Sequence, residues 1–456
     1  MKPQGKGGNP LGALPVNLLL AKFAIPSIIA MLVGSLYNIV DQYFIGNSVG
    51  YLGNAATNVA FPLTPSCIAI ALLFGIGGAS AFNLAMGAGD KETAEHYMGN
   101  ALFSLVAGGL LLLIFVQLNI TKLIYFFGAT PNVAPYAISY ISITSLGFPF
   151  LILTSGGCHL VRADGSPAFS MFCNLVGAIV NTILDYTFVF VLNWGIQGAA
   201  LATIIGQIVS ALMVIIYLAK FSRTVNLHIR HMIPKGHYIG RVASLGTAPC
   251  SNQLAMMVVQ IALNNSLTYY GGQSVYGNDI PLACVGVISK VNMIFMSFVI
   301  GISQGSQPLI SFNYGAKNFD RVKQTYRSAL MVAGTIAVIA FIMFQVFPRN
   351  ITSVFGDGSP EYYGFAIRYF RIFLFFTFLN FIQPLTSNAF TAIGKPVQGM
   401  FLSLTRQTIF LLPLILVLPL FMGIDGILFA GPIADFSAAV VSFVMIRIEF
   451  QKEQYR

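Results

Sequence analysis

The chain has 456 residues, of which 56% are hydrophobic and only 8% charged, with a mean hydropathy of +0.78. No soluble globular protein of this length has such a balance, so the composition predicts an all-α polytopic membrane protein and excludes a water-soluble enzyme. The net charge of +10 does not point to nucleic acid, because the basic residues recur at the ends of apolar spans instead of gathering on a polar domain.

The first span, Leu18 to Gly46, is interrupted by Pro26 and by Asp41. It is too long for a signal-peptide core and has no small-residue cleavage site after it, so it is expected to remain as a membrane helix. An aspartate within a span costs about 2.5–3.5 kcal/mol on insertion scales, so Asp41 is expected to face the bundle interior and to have partners.

Taken in order, the apolar runs predict twelve spans, beginning near Pro15, Leu52, Ala94, Pro131, Ser166, Gln197, Tyr238, Ile280, Asp320, Pro360, Pro396 and Asp425. With both termini in the cytoplasm, most of the 24 Lys and Arg fall in inside segments, whereas Lys122 and Arg349 fall in outside loops. The expected location is therefore the cell membrane, multi-pass, with N and C termini cytoplasmic. The basic stretch Lys220 to Arg241, with His228, His231 and His237, reads as a solvated loop on anionic headgroups in preference to a metal site. The five cysteines show no metal-ligand spacing and read as buried hydrophobes.

The chain repeats itself. RADGSP (Arg162 to Pro167) aligns with TAIGKP (Thr391 to Pro396), GIQG (Gly195 to Gly198) with GIDG (Gly423 to Gly426), Pro26 with Pro249, and Gly87-Ala88 with Gly315-Ala316. The offset is nearly constant and the direction is the same, so the prediction is two six-helix lobes related by a pseudo-two-fold, parallel repeat about an axis along the membrane normal. The expected division is an N-terminal lobe 1–221, a linker 222–237 and a C-terminal lobe 238–456.

Duplication supplies an internal control. Asp41 aligns with Asn264, Asn181 with Phe410 and Asp185 with Leu414, so the fold by itself does not require the acidic set. Asn181 and Asp185 are four residues apart, on one face of the fifth span, and Thr203 in the sixth can add a hydroxyl. An intramembrane set of carboxylates, amide and hydroxyl suits a proton or a hard cation such as Na⁺. In the second lobe Arg406 and Asp435 both fall near mid-span, where the repeat has Gly177 and Gln207. They are expected to pair, with Lys290 joining them as a third member of a charged network.

The segment IPSIIAMLVGSLYNIVDQYFIGNSVG, the loop MGAGDKETAE, RADGSP, NTILDYTFVF and the six-plus-six duplication together resemble the multidrug and toxic compound extrusion (MATE) family over nearly the whole chain. Within it the chain is similar to the DinF-like branch. The resemblance implies a cation site at Asp41, Asn181, Asp185 and Thr203, a helix 1 bend at Pro26, and cavity-lining tyrosines at Tyr37 and Tyr140. Asn264 stands where other branches of the family carry an acidic residue, which argues against their second-lobe coupling site.

No phosphate-binding loop GxxxxGK[ST] occurs, so no enzyme is expected and no cofactor beyond H⁺ or Na⁺ as coupling ion. The expected function is a secondary active antiporter exporting small cationic or amphipathic compounds, with the lipid bilayer and a small-molecule substrate as partners, no nucleic acid, and a monomeric state. Two alternatives stay open at this point: a lipid-linked oligosaccharide flippase and a membrane scaffold or receptor.

Overall fold

Apolar runs of this length can satisfy their backbone polar groups in lipid only by coiling into helices, and that is what the computed structural model contains. It describes residues 10–49, 56–57, 59–127, 131–225, 227–277, 279–354, 359–452 and 455; the side chains of residues 37–39, 41–49, 279 and 282 lie outside that description.

Twelve long helical segments follow one another among the described residues: α1 (Val16–Val49), α2 (Leu63–Gly87), α3 (Lys91–Phe126), α4 (Ala134–Ala163), α5 (Pro167–Val191), α6 (Gly195–Phe221), α7 (Gly236–Gly272), α8 (Asp279–Gly315), α9 (Phe319–Val346), α10 (Pro360–Ala392), α11 (Pro396–Met422) and α12 (Ile424–Phe450). Eleven are long and apolar enough to cross a membrane. The twelfth, α7, is 37 residues long but diluted by Asn252, Gln253, Gln260, Asn264 and Asn265. It lies along α2, so part of its polar surface is turned into the bundle.

The expected start of the second span, near Leu52, lies outside the described residues, and residues 59 and 60 are already helical. Phe61 and Pro62 form a turn, and the long helix begins at Leu63, because a proline ends the pairing of whatever precedes it. Both α4 and α10 are interrupted by a 3₁₀ turn, at Ser145–Gly147 and Thr377–Leu379, in matching parts of the two halves.

The halves meet at the end of the bundle where α1 begins and α12 ends, called here the linker end. There α2 packs on α7 and α8 packs on α1 and α2. A Cβ on Gly87 would collide with the carbonyl of Phe312, and one on Gly315 with the carbonyl of Leu84. These are the same two repeat positions with roles exchanged, as a two-fold relation demands. Gly77 against Val242 and Gly246 against Leu73 are equally close approaches of α2 and α7.

Polar bonds close the same seam. Gln307 donates to Ser80 Oγ at 2.6 Å, Arg162 to Gln304 Oε1 at 2.8 Å, and the hydroxyls of Ser35 and Ser297 lie 3.0 Å apart. At the outer face of this seam Arg321 donates to the carbonyls of Leu11 and Leu14, which ties the segment before α1 to the second half.

The linker keeps most of its side chains exposed, as a solvated loop does, but it is docked at two points. His231 is buried, Asn100 of α3 donates to its carbonyl at 3.0 Å and accepts from Lys235 N at 2.9 Å, and Gly99 admits the chain against α3. Asp164 of the RADGSP turn anchors its start, accepting from Tyr217 Oη at 2.8 Å, Arg223 N at 2.7 Å and Thr224 N at 3.1 Å. The backbone of this irregular segment is held at these two points because two side chains, an amide and a carboxylate, complete its hydrogen bonds. Among the described residues no group of His, Cys, Asp and Glu is arranged to hold a metal, and the five cysteines are free.

Candidate ion site and charged pair

The first-half site is built where α5 and α6 come closest. A Cβ on Gly206 would lie 2.8 Å from the carbonyl of Gly177, so the two glycines let the helices touch along their backbones. Ser210 seals the contact by donating to the carbonyl of Cys173 at 2.8 Å. One turn on, Asn181 is 2% exposed and donates to Thr203 Oγ1 at 3.4 Å, while Thr203 donates to the carbonyl of Ala199 at 3.0 Å. Asn181 Oδ1 is buried without a hydrogen-bond partner among the described residues.

One further turn along α5 stands Asp185, which is 0% exposed. Directly after it the helix widens into a π turn, Tyr186–Val191. Such a widening releases backbone groups from regular pairing and is found at functional positions in helices. Tyr140 of α4 packs against Val189, four residues beyond Asp185, and against Ala199, four residues before Thr203. It packs beside these residues on the side away from the linker end.

The structure thus gathers Asn181, Asp185, Thr203 and Tyr140 into one region. The backbone of α1 runs alongside α5, but the side chains of Asp41 and Tyr37 lie outside the described residues. Pro26 sits within α1, which continues through it, and the neighbouring Ser27 hydroxyl caps the carbonyl of Phe23 at 2.8 Å.

In the second half Arg406 and Asp435 form an ion pair, Nε to Oδ1 at 2.6 Å. The Asp435 side chain is 0% exposed and the Arg406 side chain 19%. Lys290 does not join them: its side chain is exposed and it has no ion pair among the described residues. Its flexible stem can carry the ammonium to water, which costs less than burying a third charge. Two residues absent from the sequence expectation do stand beside the pair, Tyr369 and Asn380 of α10. Their signal was weak, being polar atoms within the aromatic run around Phe370 to Phe381.

Comparison with known proteins places this geometry. A family model described as MatE matches residues 26–187 and again 252–417, once in each half. The chain is 24% identical to the multidrug export protein MepA of Staphylococcus haemolyticus, over 93% of this chain and 92% of that protein. It is 23% identical to MepA of Staphylococcus aureus strain MSSA476, over 95% and 94% respectively. A solved structure described as the outward-facing conformation of a multidrug resistance MATE family transporter of the MOP superfamily superposes with a TM-score of 0.90. It is 23% identical, with 98% of each chain covered.

Proposed function

The chain belongs to the MatE family of membrane transporters, and from that premise we propose that it is a secondary active antiporter that exports small cationic or amphipathic compounds in exchange for H⁺ or Na⁺. The coupling ion binds Asp41, Asn181, Asp185 and Thr203 in the first half, and Tyr37 and Tyr140 line the adjoining cavity. The working units are a lobe of residues 1–221, the linker 222–237 and a lobe of residues 238–456, and the protein acts as a monomer in the cell membrane with both termini in the cytoplasm.

The observation that carries this reading is the burial of Asp185 at 0% exposure, one turn from Asn181 and its contact to Thr203, where the second half has only Leu414 and Phe410. Structural contacts between membrane helices are ordinarily made by neutral hydroxyls and amides, as Ser210 makes one here; a carboxylate adds cost without adding packing. Two carboxylates sharing such a site disfavour the doubly charged state, so the pair takes up a proton or holds a cation. Occupancy then favours one of two lobe arrangements, and that difference in affinity drives the cavity to alternate its access.

Purified protein in proteoliposomes, given an outward-pumped dye and either an H⁺ or an Na⁺ gradient, tests this. Efflux accelerated by one gradient and abolished by its collapse supports antiport; dye movement indifferent to both gradients sinks it. Pro26→Ala should slow the same turnover, since loss of the proline restores a backbone hydrogen bond where α1 would bend.

A further inference from the structure

The ion pair of the second half is incomplete in a particular way. Arg406 reaches Asp435 through Nε, and its two terminal nitrogens make no hydrogen bond among the described residues. On the carboxylate side Asp435 Oδ2 and Oδ1 of the neighbouring Asn380 are buried with no hydrogen-bond partner at bonding distance among the described residues. A salt bridge whose only work is to hold two helices has reason to satisfy both forks, because unmet polar atoms at this depth are expensive.

Neither member of the pair is among the exposed residues of its helix. On α11 the exposed apolar surface is carried by Phe401, Ile409, Leu416 and Leu420, and on α12 by Phe429, Ile433, Phe436 and Val440, whereas Asp435 lies on the opposite, buried side of α12. A π-helical turn, Thr405–Leu411, contains Arg406 and packs against α7. Its extra residue shifts the side chain off the regular face of α11, beside Asp435 of α12 and Tyr369 of α10. The Arg406 side chain keeps 19% exposure while that of Asp435 has none, so the guanidinium retains accessible surface that the carboxylate lacks.

We infer that Arg406, held by Asp435 through Nε, is an anion-binding subsite whose free fork takes the carboxylate of an amphiphilic substrate. The inference rests on the export reading above and extends it to the substrate class. A planar guanidinium presents two parallel N–H groups that match a carboxylate, and Tyr369, beside the pair, adds a hydroxyl. Asp435 fixes the orientation of the fork and is a positioning residue. With Asp185 on the first-half side, the two halves favour a substrate bearing a cationic and an anionic group.

The test uses two probes that differ in one charge: a rhodamine with a free benzoate and the same dye as its methyl ester. Fluorescence anisotropy on the purified wild-type chain should show the free acid binding about tenfold tighter than the ester, the scale of one charge-assisted contact. In Arg406→Met with Asp435→Leu, which removes both charges together, the acid-to-ester ratio should fall to near one. In Arg406→Lys, which keeps the charge and loses the fork, it should fall severalfold. Equal affinities in the wild type, or no binding of the free acid, overturn the subsite without any variant. A wild type that prefers the acid but exports neither dye from proteoliposomes counts against the export reading and leaves the subsite standing.

Discussion

The two halves share a backbone plan and differ in where they put polarity. In the first, Asn181, Asp185 and Thr203 stand at the meeting of α5 and α6; in the second, the matching positions on α11 and α12 are Phe410, Leu414 and Gly431. The second half places its own charges, Arg406 and Asp435, one turn nearer the linker end, where the first half has Gly177 and Gln207. The helices pack in both halves whichever residues are present, so neither set is demanded by the fold. The difference lies in chemistry: a carboxylate with an amide and a hydroxyl can exchange a cation, whereas an Arg–Asp pair is already neutral as a unit and offers only its open fork.

The sharpest way to break this comparison is to remove the charge from the first half. Asp185→Asn, and equally Asp41→Asn, is expected to reduce gradient-driven export in proteoliposomes to background while the protein still inserts and elutes as wild type. Export at the wild-type rate in either variant would mean that the two halves do not differ in coupling.

The second half should respond in stability first. Asp435→Leu alone leaves Arg406 without its partner and should cost about 3–5 kcal/mol, whereas adding Arg406→Met should restore most of it. Thermal unfolding of the two variants measures the difference, and a single variant as stable as wild type would show that the pair contributes nothing.

A smaller effect tests the seam between the halves. Gly246→Ala puts a methyl group into the backbone of Leu73 and should destabilise by about 1–3 kcal/mol. Gly286→Ala, on the same face-to-lipid scale of substitution but with open space around it, should stabilise by about 0.5–1 kcal/mol through helix propensity. Equal melting shifts would deny that the close approach at the linker end holds the halves together.

The smallest effect belongs to the linker. Burial holds the His231 imidazole below its ordinary value of 6.5, against a weaker pull upward from Glu95. Its docked form is therefore neutral, and the undocked segment takes up a proton first as the pH falls. Docking is strongest above 6.5 and weakens below it, so hydrogen exchange of residues 228–235, corrected for its intrinsic pH dependence, should quicken on acidification. His231→Gln should remove that dependence.

Much of this was legible without coordinates. Twelve spans, the six-plus-six duplication and the one-sided acidic set follow from hydropathy, breaker residues and internal alignment, because the bilayer imposes length and helicity on any segment that crosses it. The pairing of Arg406 with Asp435 was legible for a related reason, since two lone charges at one depth have few other partners. What the sequence could not decide were relations between segments distant along the chain. That Lys290 turns away while Tyr369 and Asn380 approach depends on the rotation of α8 and α10 about their own axes, which packing sets and hydropathy does not record. The basic, solvated character of the linker is local and so was legible, whereas the groups that dock its backbone, Asn100 and Asp164, lie on other elements. Only the folded chain could bring those donors and acceptors to the backbone they satisfy, and only the two-fold contact of Gly87 and Gly315 fixed which ends of the halves are joined.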